Sequence, residues 1–283
     1  MFCCTLFQNR LELIKKNWWW IYSVVSGIAM VFYISSLLQL VRFTDSSLPK
    51  LSPQVIAMGA IGSALFYCIM RWPIKQRKSA YFFATIYALM LTSGAYIIQC
   101  YQFANRPLGE GNVFLGILLL TGCLAVFYSP QSIRSHWWMG LRKYYVIKPF
   151  IVAWCWTVWA MMPLLFIQAD HLWGMMVTSL LFVFALVLIT DIVDVSHDIK
   201  SKTMVTQWGK SKTIVLIFIL VVSAEITLNI TFENLHIKGS MLLAAGLPLM
   251  SLWLRKKYLT SLLVDGALIL IYYFFWFGNQ LID

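Results

Sequence analysis

Apolar runs about as long as a membrane is thick follow one another through the whole sequence. A helix crosses the hydrocarbon core with about 20 mostly apolar residues, and it pairs its own backbone polar groups within lipid. Only 12% of the residues are charged, against about a quarter in soluble domains. We therefore predict an all-α polytopic membrane protein whose residues 1–283 form a single transmembrane domain. The nine predicted spans are Trp18–Leu40, Gln54–Met70, Ala80–Ile98, Val113–Phe127, Ile147–Gln168, Leu172–Thr190, Ile214–Thr231, Gly239–Leu254 and Leu259–Phe277.

Basic side chains are distributed unequally between the two ends of these spans. With the N-terminus in the cytoplasm, eighteen of the 22 Lys and Arg fall on the cytoplasmic side, as the positive-inside rule requires. The exceptions are Arg42, Lys50, Arg106 and Lys238. The net charge of +11 thus reflects topology and does not indicate a nucleic-acid partner. We expect an integral protein surrounded by lipid in a bacterial inner (plasma) membrane, with its C-terminus on the side opposite the cytoplasm.

Three aspartates stand where the sixth apolar run ends, in the stretch "TDIVDVSHDIKSKTMVTQWGKSKT". If the helix continues past Thr190, Asp191, Asp194 and Asp198 fall on one stripe. One interpretation is a solvated, salt-bridged helix end, because four lysines follow. The other is a Mg²⁺ site, because clustered carboxylates suit Mg²⁺ bridging to substrate phosphates. Ionisable groups at the mouth of a membrane bundle favour the functional interpretation.

This stretch resembles the second aspartate-rich motif of the UbiA superfamily of intramembrane prenyltransferases. The three aspartates match its D-x-x-D-x-x-x-D pattern, and Lys202-Thr203 and Gly209-Lys210 match the Lys-Thr and Gly-Lys that follow. "FYSP" at residues 127–130, with basic residues after it, matches a second family motif. The resemblance implies nine helices around a central cavity. It also implies that Asp191, Asp194 and Asp198 bind Mg²⁺ and act in catalysis. The further substrate-binding residues that we assign on this basis are Tyr128, Arg134, Arg142, Lys143 and Lys202.

The sequence departs from the family in the loop after the second span. The family has a first aspartate-rich motif there, whereas this chain has "FYCIMRWPIKQRKS", without Asp, Glu or Asn. Arg71 and Lys75 would then contact a diphosphate directly, in place of a metal ion on that face. The resemblance is therefore closest to atypical members that keep the second motif and lack the first.

Two functions follow from the resemblance and stay open at this point. The first is transfer of a prenyl group from a prenyl diphosphate to a lipophilic acceptor, with an altered or single-metal site. The alternative is a non-catalytic membrane subunit with a protein partner, or an isoprenoid-binding protein, because the loss of one acidic motif removes part of the activation of the leaving group. A transporter has no support, since the sequence contains no inverted repeat. Glu225, inside the seventh span, is expected to be protonated or paired with Asn229.

Replacement of both Arg71 and Lys75 by Ala tests the substitution of bases for metal. We expect weaker binding of prenyl diphosphate, by about tenfold to a hundredfold per lost charge-assisted contact. Removal of Mg²⁺ should cost less, and Asp194→Asn should behave like that removal. Calorimetric titration of folded protein in neutral lipid measures all three effects, and unchanged affinity in the double variant contradicts the hypothesis.

Overall fold

Helices make up nearly all of the chain that the structure, a computed structural model, describes. It covers residues 23–41, 52–71, 80–104, 116–117, 119–121, 124, 145–167, 171–195, 203–232, 239–254 and 257–280. In chain order the helices are α1 (Ser23–Val41), α2 (Pro53–Arg71), α3 (Ala80–Ala104), α4 (helical residues 116–117, 119–121 and 124), α5 (Ile147–Ile167), α6 (Leu172–Val195), α7 (Met204–Trp208), α8 (Lys210–Thr231), α9 (Ser240–Leu254) and α10 (Lys257–Gln280).

The membrane character of the chain is evident in the helices themselves. Five of the described helices, namely α1, α3, α5, α6 and α8, are long and apolar enough to cross a membrane. Shorter apolar helical stretches occupy Pro53–Phe66, Ser240–Met250 and Leu262–Phe275. Within these described ranges no residue lies in a strand, so the all-α prediction is confirmed there. The count of nine spans and the central cavity stay predictions.

Several hydroxyl side chains within these helices pair with their own backbone. Thr92 Oγ1 donates to the carbonyl of Ala88 at 2.7 Å, and Thr227 Oγ1 donates to that of Ser223 at 2.8 Å. A hydroxyl bonded one turn back needs no water, which suits a segment that lies in lipid. Threonine and serine are therefore compatible with spans that the apolar runs define.

Helix α6 is the central element of the described bundle. It packs against α5, α7, α8, α9 and α10. Most of its apolar stretch is buried, whereas nearly all of that of α3 is not. Contacts at the helix ends fix the directions of its neighbours. Lys148 at the start of α5 meets Asp191 near the end of α6, and a Cβ added to Gly174 near the start of α6 would overlap Thr231 at the end of α8. Both α5 and α8 therefore run antiparallel to α6.

Aromatic contacts relate α2 and α3 to this core. The rings of Tyr96 and Trp159 lie 4.9 Å apart, and those of Tyr101 and Phe166 lie 6.3 Å apart. The second contact uses later residues than the first in both α3 and α5, so these two helices run in the same direction. Helix α2 packs against α3 and reaches it through residues 72–79 alone, so it runs the opposite way. The end of α2, at Arg71, therefore lies at the same end of the bundle as the start of α5.

Trp159 joins α5 to both of these helices. Its indole Nε1 donates to the carbonyl of Gly59 in α2 at 2.9 Å, and Tyr96 Oη in α3 donates to its backbone carbonyl at 3.2 Å. A Cβ added to Gly62 would lie 2.5 Å from the indole ring. Small residues at a helix contact let backbones approach closely, and here Gly62 of α2 makes room for the indole.

Replacement of Gly62 by Ala tests this packing. The new methyl group would overlap a ring that its hydrogen bond keeps in place, and such overpacking costs roughly 1–3 kcal/mol. Gly246→Ala in α9 is the matched control, because no atom lies within 4 Å of the added Cβ. The control should be neutral or slightly more stable, since Ala is favoured over Gly inside helices. Thermal unfolding of both variants in one detergent measures the difference, and equal midpoints would contradict the packing.

Candidate functional site

The first two aspartates of the predicted stripe lie within a continuous helix. Helix α6 continues past Thr190 and ends at Val195, so it includes the first two aspartates of the predicted stripe. Asp191 and Asp194 are three positions apart and so lie on adjacent turns of one face. The side chain of Asp194 and the whole of Asp198 are outside the described residues. The described part of the site therefore centres on Asp191.

Asp191 forms an ion pair with Lys148. Lys148 Nζ donates to Asp191 Oδ1 at 2.9 Å, and the two side chains are 17% and 6% exposed. A carboxylate this well removed from water is costly without a partner of opposite charge. The ammonium of Lys148 therefore supplies positive charge beside the Asp191 carboxylate, where the sequence predicted a metal ion.

The helix ends favour this pair only when α5 and α6 are packed together. The positive Lys148 lies near the N-terminus of α5, which begins at Ile147, and the negative Asp191 lies near the C-terminus of α6, which ends at Val195. The dipole of each helix disfavours a charge of that sign at that end. Each charge also lies beside the end of the neighbouring helix that favours it. The pair therefore stabilises the antiparallel contact between α5 and α6 and does not stabilise either helix alone.

Sequence reasoning missed Lys148 as a site residue, although a signal for it was present. Lys148 precedes the end of α5 by the same number of residues as separate Asp191 from the start of α6. Two antiparallel helices joined by residues 168–171 place such positions at the same height. A basic and an acidic residue equidistant from a tight connection are candidates for a cross-helix pair.

The chain after the aspartates makes a short capped helix before it enters α8. Thr203 Oγ1 accepts from Thr206 N at 3.2 Å, and Thr206 Oγ1 accepts from Thr203 N at 2.9 Å, which is a reciprocal capping box. Gly209 follows with a φ of 86°, a conformation that favours glycine. Lys210 and Lys212 are exposed in the first turn of α8. Part of the motif thus shapes the backbone and directs two lysines to the Asp191 end.

Other predicted site residues have less structural description. Arg71 is the last residue of α2, at the same end of the bundle as Asp191, and its side chain is outside the described residues. Its predicted contact with a diphosphate stays a prediction. The site residues that lie wholly outside the described ranges are Lys75, Tyr128, Arg134, Arg142, Lys143, Asp198 and Lys202.

The carboxylate of Asp191 fits an ammonium better than a magnesium ion. Mg²⁺ takes hard oxygen ligands, but Asp191 Oδ1 already accepts from Lys148. A divalent ion on the same carboxylate would lie close to the ammonium charge and be repelled by it. Among the residues the structure describes, no three His, Cys, Asp or Glu side chains lie close enough to bind one ion. The metal-binding role of Asp191, Asp194 and Asp198 stays a prediction.

Glu225 has a structural role at the opposite end of the bundle. It is 5% exposed and accepts from Asn229 Nδ2 at 3.2 Å, so the expected pairing with Asn229 is confirmed. Its carboxylate also accepts from the backbone nitrogens of Gly239 at 2.6 Å and Met241 at 2.9 Å. These groups belong to the start of α9, where unpaired N–H groups need an acceptor. Glu225 therefore ties α8 to α9.

Comparisons of this chain with protein-family models, with curated proteins and with solved structures find no match.

A double-mutant cycle tests the ion pair between α5 and α6. Lys148→Met and Asp191→Leu each remove one partner, and removal of one partner from a buried pair costs about 3–5 kcal/mol. The double variant should lose much less than the sum, because no charge stays buried alone. Unfolding of the four proteins in one detergent gives the coupling energy. Additive losses would show that the two charges do not interact.

Proposed function

We propose that the protein is a UbiA-like intramembrane prenyltransferase that moves a prenyl group from a prenyl diphosphate to a lipophilic acceptor. The observation that supports this most directly is the buried Lys148–Asp191 pair at the end of an apolar helical bundle. Ionisable groups at such a position are costly and mark functional sites in membrane proteins. They coincide here with the aspartate-rich stretch that resembles the family motif.

The proposed division of labour follows the polarity of the bundle. The apolar helix faces accommodate the prenyl chain and the acceptor, and the charged end binds the diphosphate. Arg71, Lys75 and Lys202 contact phosphate oxygens, together with the basic residues of the loop before α5, Arg134, Arg142 and Lys143, and with Tyr128. Such contacts stabilise a departing diphosphate because they lie where its charge develops. Mg²⁺ at Asp194 and Asp198, when bound, would supply further positive charge to the leaving group.

The proposed orientation places this charged end in the cytoplasm of a bacterium, with the protein in the inner membrane. Four connections lie at that end: residues 72–79, the segment before α5, the segment after α6, and residues 255–256 between α9 and α10. Together with the adjoining helix residues Arg71, Lys148, Lys210, Lys212 and Lys257, they contain 15 of the 22 Lys and Arg of the chain, and basic connections stay cytoplasmic. The N-terminus is then cytoplasmic and the C-terminus lies on the opposite side.

The alternative is a non-catalytic UbiA-like subunit or an isoprenoid-binding protein. Two observations favour it: the loop after α2 lacks acids, and Asp191 forms an ion pair with Lys148. A site with fewer carboxylates holds fewer metal ions, and leaving-group activation by metal is weaker. This alternative keeps ligand binding, predicts no turnover and predicts a stable protein partner.

Incubation of purified protein in lipid with labelled prenyl diphosphates, Mg²⁺ and a crude membrane extract separates these functions. The enzyme releases diphosphate and transfers label to a lipid-soluble product, and Asp194→Asn should abolish both. Gly246→Ala, in open space in α9, is the control for handling and should leave the rate unchanged. Absence of release with every chain length, together with a stoichiometric co-purifying protein, would establish the non-catalytic alternative.

A further inference from the structure

The ammonium of Lys148 has more hydrogen-bond donors than its carboxylate partner uses. An ammonium has three N–H donors, and among the described residues one of them is used, in the bond to Asp191 Oδ1 at 2.9 Å. The Lys148 side chain is 17% exposed and that of Asp191 is 6% exposed. The carboxylate is therefore the more deeply buried partner, and the lysine side chain keeps some exposed surface.

The geometry points to Lys148 as the resident cation of this site. Asp191 fixes the ammonium, which binds the phosphate groups of the ligand, and no divalent metal binds Asp191. The identity of the ligand as a diphosphate rests on the proposed function. Lysine binds phosphate as a point charge, and a fixed position lowers the entropy that it loses when a ligand binds.

This assignment changes the role of Asp191 from metal ligand to positioning residue. A magnesium ion would have to displace the ammonium or tolerate its repulsion at close range. Once Lys148 is displaced, a basic side chain would be left at the start of α5 without its partner. The sequence at the end of α2 and just after it also offers bases and no acid, namely Arg71, Lys75, Arg77 and Lys78. Both parts of the site favour fixed cations over metal.

Binding of inorganic diphosphate in the presence of EDTA tests Lys148 directly. Calorimetric titrations of the protein in zwitterionic lipid nanodiscs should show Lys148→Met binding about tenfold to a hundredfold more weakly than the wild type. Lys210→Met is the matched control, because Lys210 is an exposed lysine at the start of α8 at the same end. It removes the same charge and should change the affinity far less. Equal affinity of Lys148→Met and the wild type would overturn the assignment.

Two further variants separate binding from folding. Lys148→Arg keeps a cation beside Asp191 and should retain most of the affinity. Lys148→Met keeps an unbranched apolar chain and should lose affinity, so the two variants together separate the charge from the packing of the side chain. Lys148→Met/Asp191→Leu replaces the pair by apolar groups, which folded proteins often tolerate well. This double variant should fold and bind diphosphate as weakly as Lys148→Met. Wild-type affinity in the folded double variant would contradict the proposal even if Lys148→Met does not fold.

Binding of Mn²⁺, followed by electron paramagnetic resonance, tests the exclusion of metal from Asp191. The wild type and Asp191→Asn should give the same titration, whether or not Mn²⁺ binds elsewhere. A clear loss of Mn²⁺ affinity in Asp191→Asn would make this residue a metal ligand and overturn the inference. Diphosphate binding through Lys148 without prenyl transfer would refute the proposed enzyme and leave this inference standing. Prenyl transfer by the wild type, together with normal diphosphate binding by Lys148→Met, would support the proposed enzyme and refute this inference.

Discussion

The contact between α5 and α6 organises the described structure. Helix α6 packs against five other helices, and α5 joins it to α2 and α3 through Trp159. At the charged end the contact is completed by Lys148 and Asp191. In a membrane the apolar faces gain little from meeting each other, because lipid is equally apolar. Directional contacts such as an ion pair and an indole hydrogen bond therefore have a larger share in fixing how these helices pack.

The proposed site combines an acid and a base in an arrangement that would require little metal. Asp191 is matched by Lys148. A diphosphate has several negative oxygens, so fixed ammonium groups and a metal ion are alternative ways to balance it. A site built on lysines responds less to the supply of divalent ions. It also responds more to changes in the aspartates that keep those lysines in place.

The sequence predicted the helices far better than it predicted the contacts between them. Apolar runs determine where spans lie, so α5 was expected at Ile147–Gln168 and ends at Ile167. The predicted sixth span ended at Thr190, and the continuation of α6 through Asp191 and Asp194 was only a condition for the aspartate stripe. The Lys148–Asp191 pair depends on how two helices are rotated about their axes, which no span pattern contains. Lys148 had contributed only to the orientation, as one basic residue among many.

Glu225 has a consequence for how the protein enters the membrane. Its carboxylate accepts from the backbone of Gly239 and Met241, which lie 14 and 16 residues further along the chain. If α8 were inserted alone, this carboxylate would reach the hydrocarbon before those donors were in place, at a cost of several kcal/mol. Insertion of α8 and α9 together as a hairpin avoids that cost. The translocation machinery would then handle these two helices as one unit, and a ribosome pause between them would leave Glu225 paired with Asn229 alone.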